Sequence, residues 1–242
     1  MSERRIRRAV ILAAGLSRRL EPLELDRPKP LIEVAGKPLL VHHLEKCAAH
    51  GVEEIFINLH HKPEQIRDAL GDGSTWKVKI DYYVEPHLRG TAGGVRNFCE
   101  RLRDEPFLVL YGDNYYTFAL SELVEAHTAS RLHPEMSLML FELEDVSGSG
   151  VAVCGEDGLI ASFVEKPEPG TEPSRWVNAG VYLMEPHLLD VIPEEPSDFG
   201  HDLIPEWLVE GKKILGVKTQ GRVYAVDTPE LLAKLPRELA GK

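Results

Sequence analysis

Four short apolar runs in the first half of the chain, separated by segments with helical spacing, constrain the fold more than any other feature. RAVILAA at 8–14 is continuously apolar and ends at Gly15, the pattern of a strand buried on both faces. KPLLVHHLEKCAAH at 37–50 places apolar residues at helical spacing and stops at Gly51. EEIFINL at 53–59 reads as the second strand, and PEQIRDAL at 63–70 as a helix that opens on proline and ends at Gly71. VKIDYYV at 78–84, a helix from Thr91 to about Arg103, and FLVLY at 107–111 continue the alternation. Strand and helix units in this order predict an α/β fold, with a mixed, mostly parallel central sheet and helices on both faces.

The second half is less regular. MSLMLFEL at 136–143, LIASFVE at 159–165, VNAGVYLM at 177–184 and short runs at 214–217 and 223–226 read as strands of mixed direction, and the Pro and Glu cluster at 166–173 as a loop. No internal repeat or long linker interrupts them, so residues 1–242 are expected to form one domain. Its halves divide at about residue 115.

Composition excludes several functions. With 28 Lys plus Arg against 39 Asp plus Glu, the net charge of -11 disfavours a nucleic-acid surface, so any phosphate must be met in a local pocket. No apolar stretch approaches the ~18 residues of a membrane span. The basic start MSERRIRR precedes only the short apolar run AVILAA, too brief for a secretory signal, which leads to a cytoplasmic reading. Cys47, Cys99 and Cys154 are odd in number and far apart, matching neither a disulfide framework nor a zinc pattern. The adjacent pairs His42–His43 and His60–His61 cannot both point one way, so a zinc site is not expected there. Trp76, Trp176 and Trp207 are assigned to core or rim packing.

In open α/β sheets ligands collect beyond the carboxyl ends of strands. AAGLSRRLEPL at 13–23 follows the first strand, with small residues for close backbone approach and Arg18 and Arg19 for positive charge. It is neither G-x-G-x-x-G nor G-x4-G-K-[ST], which disfavours dinucleotide oxidoreductases and P-loop enzymes. In RPKPLIEVAGKPL at 27–39, prolines on both sides of Lys29 restrict the backbone and aim one ammonium, as a phosphate clamp requires. Asp113 of GDN (112–114) directly follows a strand and is a candidate Mg2+ ligand.

Taken in order, A-A-G-x-S-x-R-L, P-K-P-L, E-P-x3-G-T-A-G-G (85–94), G-D-N, E-K-P (165–167) and N-A-G (178–180) resemble the sugar-1-phosphate nucleotidyltransferase family. The resemblance extends to DFGHDLIP at 198–205 and covers nearly the whole chain. It implies a Rossmann-like nucleotidyltransferase fold, with a nucleotide-binding half over about 1–115 and a sugar-phosphate half over about 116–242. The implied partners are an NTP and a sugar 1-phosphate, the cofactor Mg2+ and the product an NDP-sugar; nucleic acid and membrane are not among them, and a homo-oligomer is left open. Arg19, Lys29 and Asp113 would be catalytic. Leu12, Ala13, Ala14, Gly15 and Lys29, with Glu85, Gly90, Thr91 and Ala92, would hold the nucleotide. Gly93, Asn114, Glu165, Lys166, Asn178 and Gly180 would face the sugar phosphate, and Asp113 with Asp227 the metal.

Two departures from the family pattern stand out. Ser17 and Arg18 occupy places where the family's opening loop commonly carries Gly and Thr. The terminal D-x-G-T-P reads AVDTPE at 225–230, so aligning Thr228 and Pro229 puts Ala225 in the Asp place, and Asp227 serves only if the loop is two residues shorter. A carboxylate at Glu85 could accept from guanine N1–H and N2–H2, which favours GTP with a mannose- or heptose-like sugar 1-phosphate. Short length and LGDGS at 70–74 also resemble uridylyltransferases acting on amino-sugar phosphates, the alternative reading. A catalytically weak nucleotide-sugar-binding regulatory homologue is the third reading.

Overall fold

The computed structural model describes residues 5–16 and 27–226. The apolar run at the start forms β1 (Arg8–Leu12). A small hairpin of β2 (Glu33–Val34) and β3 (Lys37–Pro38) leads into α1 (Leu39–His50), and β4 (Glu54–Leu59), α2 (Pro63–Leu70) and β5 (Lys79–Val84) follow. The helix expected from Thr91 to Arg103 is broken into α3 (Gly90–Arg96) and α4 (Cys99–Leu102), because Asn97 and Phe98 turn between them. β6 (Phe107–Tyr111) then returns to the sheet, and the short β7 (Asn114–Tyr116) leaves it.

The remainder comprises α5 (Leu120–Ala129), β8 (Met136–Glu142), β9 (Gly150–Cys154), β10 (Ile160–Glu165), β11 (Trp176–Met184), α6 (Ile204–Val209), β12 (Ile214–Lys218) and β13 (Val223–Ala225). Sequence pattern missed α5, β9 and α6. In α5, LSELVEAHTA mixes small, polar and β-branched residues into its inner face, and GVAVC of β9 is short and set between turn residues.

The main sheet runs β10-β9-β11-β6-β1-β4-β5, with β8 on the other side of β11 and β12 beyond it. β1 pairs in parallel with both β4 and β6, and β4 with β5; β11 is antiparallel to β6 and β8. Alternation along β1 explains the helices on both faces. Ala9 and Ile11 pack with Leu40, Leu44 and Cys47 of α1 and Leu123 of α5, whereas Val10 and Leu12 pack with Ala92 and Val95 of α3 and, across the same layer, Trp207 of α6. The chain leaves β1 on one side to build β4 and β5, then crosses to the other side for β6. Loops after β1 and β6 therefore diverge from those after β4 and β5, opening a crevice at the carboxyl ends. Among the described residues, no helix is long and apolar enough to cross a membrane.

The aromatic and thiol side chains divide between core and rim. Trp207 is fully buried and Trp76 and Trp176 are half-buried; Cys47 is buried, and Cys99 and Cys154 are partly so. His42 contacts the Val34 carbonyl oxygen at 2.6 Å. Its neighbour His43 is 1% exposed, lies against Tyr116, and makes no hydrogen bond of ordinary geometry from either ring nitrogen among the described residues. Burial, reinforced by the nearby His42 and Lys46 against a weaker pull from the Asn114 backbone, pushes its pKa from 6.5 down to about 3. The unfolded chain thus binds one more proton than the folded chain between those values, so this contribution is intact above pH 6.5 and is lost as pH falls toward 3. Between pH 7 and 5 the loss is about 2 kcal/mol. His43→Leu is expected to weaken that pH dependence by this amount while leaving neutral-pH stability equal or higher, since a poorly satisfied buried polar group is removed. Thermal melts of both proteins at the two pH values check it; parallel pH dependence would contradict the assignment.

Candidate active site

The carboxyl ends of β1, β4, β5 and β6 enclose a cleft of about 280 Å³. Leu12, Ala13, Ala14 and Gly15 form its floor after β1, Glu85 follows β5, and Gly90 and Thr91 open α3 across from them. Lys29, Pro30 and Asp113 close the side nearest β6. All of these but Pro30 were read from sequence as nucleotide-binding or catalytic, and they come together in one place. A second, more open depression of about 420 Å³ lies between α5 and β12, where its one ammonium, Lys218, covers the Trp176 ring at 4.6 Å.

Two contacts set the height of the floor. Gly112 N donates to the Leu12 carbonyl at 2.9 Å, and a side chain at Gly112 would meet that same oxygen at 2.7 Å, so only glycine lets the two loops approach. Ala13 N donates to Asn58 Oδ1 at 2.8 Å. Its hydrogen is already committed, leaving Ala14 and Gly15 as the loop amides with no protein acceptor among the described residues.

Lys29 begins a 3-10 turn, Lys29–Leu31, between the two prolines, and is only 7% exposed. Its Nζ donates to Asp113 Oδ2 at 2.8 Å, while the Asp113 side chain keeps 42% of its surface open to the cleft. A partly desolvated ammonium beside an exposed carboxylate offers both signs of charge to a phosphate and a cation. Among the described residues no group of three or more His, Cys, Asp and Glu side chains could hold a metal. The donor set instead suits a hard cation bound by one carboxylate plus substrate oxygens. Arg19 and Asp227 lie outside the described residues; Val226 N, just before Asp227, donates to the Asp113 carbonyl at 3.1 Å, and Ala225 pairs with Asn114.

The packing gives several of the expected site residues partners within the protein. Glu85 is 2% exposed, and its Oε1 already accepts from Asn58 Nδ2 at 2.8 Å and Asn97 Nδ2 at 3.0 Å. Its Oε2 accepts from Arg89 N at 3.1 Å. Oε1 thus carries two donors, while Oε2 carries one and keeps an acceptor position on a residue that lines the cleft. Ala92 and Gly93 do not face the cleft: both are buried in α3, with their N–H groups on the Ser197 carbonyl at 3.0 and 3.3 Å. Asn178 donates to Tyr182 Oη at 2.7 Å and accepts from Gly180 N at 2.9 Å across the irregularity in β11. These bonds use one Nδ2 hydrogen and one Oδ1 lone pair, leaving one of each on a half-buried amide. Asn114 Nδ2 donates to the Ala179 carbonyl at 3.3 Å.

Glu165 and Lys166 lie at the end of β10, outside the cleft's lining. The Glu165 carboxylate rests against two glycines: a side chain at Gly150 or Gly200 would come within 2.6 or 2.5 Å of its Oε2. Burial raises its pKa, against the pull of Lys166. Lys166 has φ 49, an uncommon conformation for a residue with a side chain, which turns the chain sharply after the strand.

Asn58, Leu88, Tyr111 and Asp198 also line the cleft and were not singled out from sequence. A polar residue one place from the end of the apolar run EEIFINL was a usable signal for Asn58. Tyr111 carried none, since an aromatic residue ending a strand reads as core; its hydroxyl accepts from Tyr182 Oη at 3.0 Å, and burial raises its pKa. Asp198 Oδ1 accepts from Thr91 N at 2.9 Å, and Thr91 Oγ1 accepts from Phe199 N at 2.9 Å, tying α3 to the second half.

The nucleotidyl transferase family model matches residues 8–224, and the chain belongs to that family. It is 33% identical over 224 residues to the mannose-1-phosphate guanylyltransferase of Mycobacterium tuberculosis, covering 92% of this chain and 61% of that protein. It is 32% identical over 216 residues to the UTP–glucose-1-phosphate uridylyltransferase of Synechocystis, covering 84% and 56%. The chain thus spans about 60% of the length of these curated relatives. Among solved structures, HddC from Yersinia pseudotuberculosis superposes with a TM-score of 0.80 at 26% identity, covering 97% of this chain and all of that one, and its complex with GMP-PN with 0.79 at 25% and the same coverage. These likenesses agree with the mixed, mostly parallel sheet and its flanking helices.

Proposed function

We propose that this chain transfers a nucleoside monophosphate from an NTP to a sugar 1-phosphate, giving an NDP-sugar and pyrophosphate, with GTP and a mannose- or heptose-like sugar 1-phosphate as substrates. The observation that carries the reading is the Lys29–Asp113 pair, 2.8 Å apart, facing a cleft whose floor is the backbone at Ala14 and Gly15. A phosphate oxygen of the sugar phosphate attacks the α-phosphorus in line. The new P–O bond forms as the bond to the β-phosphate bridging oxygen breaks, and pyrophosphate leaves with the electron pair. No protein nucleophile is needed, because the attacking group is already an anion; the protein aligns it and offsets repulsion. Lys29 bears on the nucleotide phosphates, and Lys166 and Glu165 on the sugar phosphate. Asp113 is the residue that would hold Mg2+ together with phosphate oxygens, and the cation would supply charge neutralisation at the α-phosphate and leaving group.

The guanine preference is supported by the guanylyltransferase relatives and by the GMP-PN complex of the similar HddC structure. The similarity to a uridylyltransferase supports a second reading, with UTP as donor. A purely regulatory role is disfavoured by the intact Lys29–Asp113 pair. The three thiols are all unpaired, which suits a reducing cytoplasm. A panel of NTPs against sugar 1-phosphates in Mg2+ is expected to release one pyrophosphate per NDP-sugar, and EDTA to stop it. Release of inorganic monophosphate, or no turnover with any pair, would overturn the proposal.

A further inference from the structure

Behind the Lys29–Asp113 pair lies a small apolar cluster separate from the layers on the two faces of the sheet. Ile32, Val34, Leu39 and Val226 are buried in it, with Tyr115 and Tyr224 packed against them. Its members come from both arms of the pair. On the lysine arm, Ile32 N donates to the Lys29 carbonyl at 3.0 Å, and Leu39 N, the first amide of α1, donates to the Ile32 carbonyl at 2.9 Å. On the aspartate arm, Val226 N donates to the Asp113 carbonyl at 3.1 Å, and Tyr115 pairs with Tyr224 across β7 and β13.

His42, near the start of α1, meets both arms. Its Nε2 lies 2.6 Å from the Val34 carbonyl oxygen, and its ring stands at 83° to that of Tyr115, with centroids 5.0 Å apart. A carbonyl can only accept, so Nε2 carries the hydrogen and donates to the lysine arm, which orients the ring for its edge contact with Tyr115 on the aspartate arm. Further along the same helix, Lys46 Nζ donates to the Phe118 carbonyl at 3.1 Å and lies 4.9 Å from the centre of the Tyr116 ring. Helix α1 is thus a common seat for two segments that are 84 residues apart in the chain and whose tips meet at 2.8 Å. A shift of either segment on that seat moves a charge at the reacting phosphates, and misplacement by about 1 Å can cost on the order of a hundredfold in rate.

We propose that His42 is a positioning residue for the transfer reaction: by donating to the Val34 carbonyl while packing on Tyr115, it braces the lysine arm against the aspartate arm and sets how Lys29 and Asp113 face the phosphates. The inference rests on the nucleotidyltransferase reading of the cleft.

The test uses the full chain with the NTP and sugar 1-phosphate pair that the wild type turns over fastest, with kcat, both KM values and the Mg2+ dependence of the rate measured below the melting temperature of every variant. His42→Phe keeps a ring against Tyr115 and removes the donor. It is expected to lower kcat about tenfold and to raise the Mg2+ needed for half-maximal rate severalfold, with KM for the sugar phosphate within about twofold of wild type. His42→Gln keeps a donor within reach of Val34 and is expected to retain kcat within about threefold. Leu70→Ala, in the main core on α2, serves as the stability control: it lowers the melting temperature and is expected to leave kcat and the Mg2+ curve unchanged. Should His42→Phe fold poorly, Tyr115→Leu removes the contact from the other arm and is expected to show the same split. A His42→Phe variant with the kcat and Mg2+ curve of wild type would overturn the proposal. So would a His42→Gln variant no better than His42→Phe, or a Leu70→Ala variant that shifts kcat and the Mg2+ curve in the same way. Failure of the wild-type chain to turn over any pair would instead remove the functional reading on which the inference rests.

Discussion

Asp113→Asn is expected to lower the transfer rate by at least about a hundredfold, with a fold and thermal stability close to wild type. The substitution keeps the shape and removes the charge. Asp113 lies two residues past the end of β6, and its carbonyl is held by Val226 N at 3.1 Å, which fixes the backbone from which the carboxylate projects. Among the described residues it is the acidic group that pairs with Lys29 in the cleft. Loss of the carboxylate therefore weakens the site's hold on a cation and removes the Asp113 charge beside the Lys29 ammonium. A Mg2+ titration against rate checks the assignment: the Asp113→Asn variant should need far more Mg2+ and reach a lower plateau. A curve superimposable on wild type would remove Asp113 from the chemistry.

The second large effect separates the two lysines. Lys29→Ala is expected to lower kcat by about a hundredfold or more with a small change in KM for the NTP, because its ammonium stabilises charge that grows on the phosphates in the transition state. Lys166→Ala should leave kcat within severalfold and raise KM for the sugar phosphate about tenfold, as loss of uniform binding does. The physical basis is placement. Lys29 is 7% exposed, held between two prolines and pointed at Asp113, whereas Lys166 is exposed and outside the cleft's lining, in the other half of the chain. Steady-state kinetics with each substrate varied in turn decides it. Equal effects of both substitutions on NTP binding alone would show that the lysines do not divide the substrates as their positions imply.

Much of this protein was determined by the sequence itself. Short continuous apolar runs bounded by glycine fit strands covered on both faces, so RAVILAA and FLVLY specify inner strands, and the helices between them follow from their spacing. Lys29 was legible because flanking prolines constrain the backbone locally, and Asp113 because a residue just past a buried strand must emerge at the sheet's end. The tertiary structure alone decided which polar groups remain available. Glu85 meets Asn58 and Asn97, and Asn178 meets Tyr182 and Gly180, arrangements that no pattern local to either motif specifies. Ala92 and Gly93 belonged to the right motif but face the core. The same holds for Asp198, whose partner Thr91 is 107 residues away in the chain. Periodicity and turn chemistry report on neighbours within a few residues, whereas a hydrogen bond between loops depends on strand order, and strand order places β4, β5 and β6 around one crevice.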